Sequence, residues 1–312
     1  MGLKERTGGD DFANQVMALT SEFPEAAAFI AGHTHQDVPS RLTNGVLFTQ
    51  ADHFGIHVGR TDLTFDRNSK KLLHQQARCE LMDERFELDP VVLGRAKPQL
   101  DRAAFVLAQP VGELANTLSV QRHAAEPSEV ELLIAAAITE ALRGRGLTID
   151  GVFHGLFDEH AFKKGPKTVG HLWDILPYEN YLVTGELTPA ELRIVMDEVF
   201  QSQDGRSLAG FRMTTEGQGS HRRLTSLTLA DGHPLDPSKR CRIAFNTFDA
   251  RSGGHRFMKL RDLLERPDAQ CTFHPVQTRD ALIEYFRRHK VVRRLRSCDA
   301  FVAGSGGGAL AA

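Results

Sequence analysis

Several common signatures are missing from this chain of 312 residues, and each absence removes a class of function. No run of about 18 apolar residues occurs, so no membrane-spanning helix is expected. Nothing near the N-terminus joins basic residues to an apolar core, so the chain as written reads without an export signal. The four cysteines, Cys79, Cys241, Cys271 and Cys298, form no C-x-x-C and no scaffold-like spacing. That argues against a cysteine zinc site and a disulfide framework, and leaves free thiols, some of them buried. With 38 basic against 40 acidic residues the formal net charge is -2, which gives no electrostatic footprint for nucleic acid or an anionic membrane. Gly-x-Ser-x-Gly, P-loop and Rossmann fingerprints are absent, so serine-nucleophile chemistry and dinucleotide binding have no support. There is no internal repeat, and only the glycine-rich tail 304–312 reads as low-complexity and disordered.

What remains is ordinary globular composition, 41% hydrophobic and 25% charged, enough for one or two domains. Phe12, Val16, Leu19 and Phe23 fall at helical spacing, and Phe29-Ile30-Ala31 then reads as the end of a short buried strand. Strands are expected over 46–50 and 56–65, the second alternating at Thr61, Leu63 and Phe65. Residues 1–85 thus look like part of a layered α/β domain with too few elements to bury both faces of a sheet. Residues 86–105, with Pro98 inside, read as a linking helix. Residues 106–300 form a larger α+β body. Its clearest helix starts are two capping boxes, Ser128-x-x-Glu131 and Thr188-Pro189-Ala190-Glu191. Gly144 and Gly146 end the first of these helices, a strand follows near Val152, and a helix near Val169 stops at Pro177. Residues 224–229, an Asp231-Gly232 turn and residues 242–248 read as antiparallel strands.

The first candidate site is Gly32-His33-Thr34-His35. Two histidines two residues apart on extended backbone point the same way, about 6 to 7 Å apart at Cα, which suits ligands to one metal or to a close pair. A zinc-like site needs three or four protein ligands, so His33 and His35 cannot close one alone. The alternative is a pair of solvated or hydrogen-bonded imidazoles at a strand end. His53 and His57 are four apart in a segment that reads as strand, about 13 Å apart, which argues against co-ligation. The basic cluster Arg287-Arg288-His289-Lys290 reads as a solvated helix end.

The order of Gly32-His33-Thr34-His35, Gln50-Ala51-Asp52-His53-Phe54-Gly55, Pro177-Tyr178-Glu179-Asn180, Leu187-Thr188-Pro189-Ala190-Glu191-Leu192 and Gly253-Gly254 resembles the bacterial 5'-nucleotidase / 2',3'-cyclic-nucleotide phosphodiesterase family. The resemblance implies an α/β and α+β fold, in which a C-terminal remnant of a calcineurin-like metallophosphoesterase domain (1–85) is joined by the linker helix (86–105) to a complete 5'-nucleotidase C-terminal domain (106–300) and a tail (301–312). It also implies a phosphoric ester hydrolase acting on nucleotides, with a two-metal centre of zinc, manganese or a similar divalent ion. His33 and His35 would be metal ligands. The family's other ligands come from earlier motifs absent here, and one of them commonly sits in His-Met-Gly, so a chain opening Met1-Gly2 is expected to be truncated upstream and inactive alone. Full-length members are often exported.

By the same resemblance Tyr178, Asn180 and Phe248 would sandwich and orient the nucleobase. The alternative is that the two aromatics belong to the core. Gly254 belongs to the turn that follows the second aromatic, and His255 stands where the family has the ribose-binding aspartate. Arg122 is the counterpart of a substrate arginine, or else a solvated surface charge. The family's Gly-Gly-Gly-Ile-Arg aligns with Gly155-Leu156-Phe157-Asp158-Glu159, where a carboxylate would repel phosphate. Two other roles stay open: a nucleoside-binding module without catalysis, and a partner of a separate catalytic chain.

Overall fold

The computed structural model describes residues 16–123, 125–156, 160–202, 205–296 and 301, with the backbone alone at His255. The expected helix start before Val16, the tail, Cys298, and Phe157, Asp158 and Glu159 lie outside the described residues. The chain divides into two compact units, Met1–Lys97 and Pro98–Ala312. No described helix is long and apolar enough to cross a membrane.

The first unit contains α1 (Val16–Glu22), β1 (Ala28–Ala31), β2 (Asp37–Thr43), β3 (Val46–Ala51), β4 (His57–Phe65) and β5 (Leu72–Leu81). Its three-stranded sheet has the order β1-β3-β2, with β1 parallel to β3, and β4 pairs with β5 as a separate hairpin. The apolar run of β3 is fully buried, and Phe48 packs with Val16 and the half-buried Phe29, Ala31 and Val38. Two strands escaped the sequence reading. β2 carries Pro39, which cannot donate to a ladder, and its pairing with β3 slips between Val38 and Arg41. β5 is mostly polar and owes its form to β4, its partner from His57↔Leu81 to Phe65↔Leu72. Two expectations need correction: β1 is not buried, since Ile30 is 78% exposed, and the apolar positions of β4 are solvated, Leu63 and Phe65 included.

Helix α2 (Pro90–Leu107) follows. The Asp89 carboxylate caps it by accepting the Val91 and Val92 N–H groups at 2.8 and 3.0 Å.

The second unit is built on a five-stranded sheet of order β10-β7-β13-β9-β14, where β7 is Gly151–Gly155, β9 Tyr181–Leu187, β10 Arg206–Ala209, β13 Cys241–Asn246 and β14 Thr272–Gln277. Only the β7–β13 pairing is parallel. Side chains alternate between its faces. Val152 and Ala244 join one core with α3 (Glu129–Arg143), α4 (Val169–Ile175) and α8 (Thr278–His289). Phe153, Ile243 and Phe245 join the other with α5 (Pro189–Ser202) and α7 (Met258–Leu264). Helices on both faces explain why β7 is buried at every position. The remaining elements are a small sheet of β6 (Pro110–Leu114), β8 (Gly165–Thr168) and β15 (Val291–Val292), the hairpin of β11 (Phe211–Glu216) and β12 (Arg223–Leu229), and the short α6 (Thr247–Ala250).

Both capping boxes form. Ser128 Oγ accepts Glu131 N–H at 3.3 Å while Glu131 accepts Ser128 N–H at 2.9 Å, and Thr188 and Glu191 repeat the exchange at 3.2 and 2.8 Å. One strand pairing differs from expectation: β12 pairs with β11, and β13 lies in the central sheet between β7 and β9. The chain from 247 turns into α6, so Phe248 sits on a helix rather than a strand. The basic cluster at the end of α8 is also partnered, with Arg288 and His289 both reaching Glu140 of α3, at 2.6 and 2.7 Å.

Candidate functional site

In the second unit the antiparallel register Leu182↔Asn246 puts the start of β9 beside the end of β13. The loop 176–180 and helix α6 therefore meet at one end of the sheet, where Tyr181 N–H donates to Thr247 Oγ1 at 3.2 Å. Tyr178, Asn180 and Phe248 all lie on this pair of segments. Tyr178 is 55% and Phe248 38% exposed, so neither is a core aromatic. The Asn180 carbonyl is anchored by Thr278 N–H and Oγ1 at 2.9 and 3.2 Å, and its side-chain amide makes no hydrogen bond among the described residues. Phe248 is seated on Gly253, where an added Cβ would collide with the ring. Gly254 has φ 67°, a left-handed backbone that favours glycine.

Sequence reading missed what fixes Phe248. Asn246 caps α6, accepting Asp249 N–H at 2.9 Å and donating Nδ2 to Asp249 Oδ2 at 2.7 Å. Arg206 Nε reaches both Asp249 oxygens at 3.1 and 2.9 Å, and both side chains are buried. Beneath them His154 donates Nδ1–H to the Gly155 carbonyl at 2.6 Å, and burial pushes its pKa below the usual imidazole value. One guanidinium N–H of Arg206 is thus shared between both carboxylate oxygens, while Nη1 donates to the Gly205 carbonyl at 3.2 Å, so the buried cation has a charged partner and a backbone one. The sequence signal was faint: Asn246-x-x-Asp249 is a helix-start pattern, but its charged partner lies 43 residues away. A second exposed pair, Tyr181 and Phe273, packs alongside with ring centroids 5.4 Å apart.

Arg122 is neither a solvated charge nor a free cation. Nε donates to Glu131 at 2.8 Å, Nη2 donates to the other Glu131 oxygen, and Nη2 also reaches the Gly205 carbonyl at 2.8 Å. The same glutamate serves the capping box of α3, so the arginine ties helix α3 to the segment before β10.

In the first unit the parallel β1 and β3 end side by side, which brings the loop of His33 and His35 against the loop of Asp52 and His53. Thr34 and Gln50 side chains lock them, Gln50 Nε2 donating to Thr34 Oγ1 at 2.8 Å. The histidines are not on extended backbone. His33 and His35 have φ of 73° and 52°, and Thr34 N–H closes a tight turn on the Gly32 carbonyl at 2.9 Å. The space a Gly32 Cβ would occupy is open, so no close approach requires that glycine. The strand reading of 53–57 is also corrected. Asp52 and Phe54 are left-handed at 52° and 54°, and the resulting turn folds His53 and His57 onto one carboxylate. Asp52 Oδ1 accepts from His53 Nδ1 at 2.5 Å and Oδ2 lies 3.6 Å from His57 Nδ1. The bond from His53 holds the Asp52 carboxyl below the usual range.

This cluster does not by itself fit a metal centre. His35 and His53 stack with centroids 4.7 Å apart and planes 9° apart. Imidazole lone pairs lie in the ring plane, so stacked rings point theirs side by side rather than at one ion. No three histidine, cysteine, aspartate or glutamate side chains converge on a metal-sized space among the described residues.

Comparison with known proteins bears on the same elements. Residues 110–262 match the family described as 5'-nucleotidase, C-terminal domain. The chain is 25% identical over 276 residues to Endonuclease YhcR of Bacillus subtilis, covering 86% of this chain and 22% of that protein. It is 28% identical over 178 residues to the uncharacterized metallophosphoesterase YunD of the same organism, covering 56% and 37%. This chain therefore spans between about a fifth and two fifths of the curated relatives it matches. Among solved structures, the 5'-nucleotidase precursor of Thermus thermophilus aligns with a TM-score of 0.54 at 21% identity, over 89% of this chain and 61% of that one. A Staphylococcus aureus protein named as a candidate 5'-nucleotidase, in complex with alpha-ketoglutarate, aligns with a TM-score of 0.68 at 19% identity, over 87% and 55%. These likenesses establish the fold. Together with the family match, they identify a 5'-nucleotidase C-terminal domain at residues 110–262 of this chain.

Proposed function

We propose that this chain carries the nucleoside-holding part of a 5'-nucleotidase-type phosphoesterase, with Tyr178 and Phe248 stacking the base and the free Asn180 amide reading its edge. The observation that carries this reading is the display of two half-exposed aromatics at one end of the sheet, each on a rigidly held segment. Every base offers a π face, and one stacked base is worth about 1 to 3 kcal/mol, so the clamp would accept purines and pyrimidines. Gly254 lets the chain turn beyond Phe248, and the next residue, His255, would be the one that binds the ribose. Arg122, bound to Glu131, would act on the site only by holding α3 in place.

The reaction of the parent enzyme would be hydrolysis of a nucleotide phosphate ester with divalent metal ions. His33 and His35 would be two of its ligands, the others coming from residues that this chain does not contain. On that reading the isolated chain binds nucleosides and does not turn nucleotides over. Calorimetry with adenosine, AMP and UMP, run beside a phosphatase assay with and without chelator, tests both halves. Saturable binding with no turnover is the expected result. Chelator-sensitive hydrolysis by the purified chain would refute the inactive assignment, and absence of binding to all three ligands would refute the clamp.

A second reading rests on the first unit, where Ile30, Leu42, Phe54 and Leu73 are each at least 65% exposed. On this reading these side chains would be covered by more polypeptide, from the same parent protein or from a separate catalytic chain. Light scattering after size exclusion is expected to show self-association of the purified chain; a clean monomer at high concentration would count against it.

A further inference from the structure

Loop 176–180, which carries Tyr178 and Asn180, is gripped by the first two residues of α8. Thr278 holds its far end through the Asn180 carbonyl, with N–H and Oγ1 at 2.9 and 3.2 Å. Arg279 holds its near end. Nη1 donates to the Leu176 carbonyl at 3.0 Å, Nη2 reaches Glu179 Oε1 at 3.4 Å, and the guanidinium carbon lies 3.3 Å from the centroid of the Trp173 ring. Trp173 belongs to α4, which Leu176 closes as its C-cap, so one cation touches the helix, its end and the loop beyond.

This arrangement is costly. Arg279 is 2% exposed, and its Nε makes no hydrogen bond among the described residues. A buried donor left unpaired opposes folding, and the fully charged guanidinium persists there only if its other contacts compensate. Those contacts all order the segment that displays Tyr178. A lysine could not replace them, having neither the flat face that stacks on tryptophan nor the fork that spans two acceptors.

We infer that Arg279 is the positioning residue of the nucleobase loop and that Trp173, stacked on it, senses what binds there. The inference rests on the reading of Tyr178 and Asn180 as base-holding residues. Holding the loop in its binding shape before the ligand arrives removes an ordering cost from association, which would otherwise weaken affinity.

Trp173 is the single tryptophan of the chain, so its emission reports this contact without background. In the full chain, adenosine is expected to change Trp173 emission saturably, with the same midpoint as calorimetry. Arg279→Met is expected to weaken adenosine by roughly tenfold and to blunt the emission response, with cooperative melting retained, and Arg279→Lys to restore little of either. Hydrogen exchange at residues 178–180 should accelerate in Arg279→Met. Tyr178→Ala serves as the control for the underlying reading. If Tyr178→Ala abolishes binding while Arg279→Met binds and responds like the wild type, the role of Arg279 is refuted and the clamp stands. If the wild type binds no adenosine, the clamp is refuted and the sensing role with it. Unchanged exchange at 178–180 in Arg279→Met would overturn the loop-holding role whatever the ligand result.

Discussion

Buried histidines and thiols in the second unit have chemical states set by burial, and those states are measurable. His154 and His274 are buried, and burial lowers both pKa values from the ordinary 6.5, with Arg206 and Arg145 respectively adding to the effect and Asp249 opposing it at His154. Below that pH the unfolded chain takes up protons that the fold refuses. Stability is therefore complete above the unfolded value and declines as pH falls through it toward the folded values. Thermal melting is expected to drop between pH 7 and pH 5, with a shallower slope in His154→Gln. An equal slope in the variant would show that His154 is not one of the groups responsible. Burial also pushes the Cys241 thiol up to about 11, so its thiolate is scarce at pH 8. Cys241 is expected to resist a disulfide reagent until the protein unfolds, and mass spectrometry of the labelled native chain would check this.

The elements around the candidate site are held by caps and one buried ion pair, and these set the cost of disturbing it. Arg206→Met would leave the Asp249 carboxylate buried without its partner, at about 3 to 5 kcal/mol by urea denaturation. The same change should weaken adenosine, since Asp249 and Asn246 together orient the helix of Phe248. Ser128→Ala removes only a cap and should cost about 1 kcal/mol with ligand affinity unchanged. A loss of affinity in Ser128→Ala would mean that α3 bears on the site more directly than its contacts indicate. Local signals of this kind were legible in the sequence. Both capping boxes, the Pro177 stop and the glycine at 254 act within four or five residues, so spacing alone reveals them. The strands β2 and β5 were not legible, because Pro39 and the polar run from His74 to Arg78 obey their partners rather than any period of their own.

Across the whole chain, the cores separate cleanly by unit. Both large hydrophobic clusters lie wholly within the second unit, while the first has one small cluster around Phe48. Residues 98–312 expressed alone are accordingly expected to melt cooperatively and to bind adenosine as tightly as the full chain. A fragment that stays unfolded by circular dichroism would contradict that independence.

The order of residues was enough to mark α3, α4 and α5 and the starts of α3 and α5, to say that two bodies follow one another, and to show which family motifs run in order along the chain. Periodicity and caps are short-range, so they survive without a structure. Long-range packing was needed to establish that Tyr178 and Phe248 are half-exposed on neighbouring segments, that Arg122 is committed to Glu131, and that His35 stacks on His53. Each of these depends on strand register, on left-handed turns, or on contacts between segments far apart in the chain. A side chain's partners are set by that geometry, and residue type alone does not specify them.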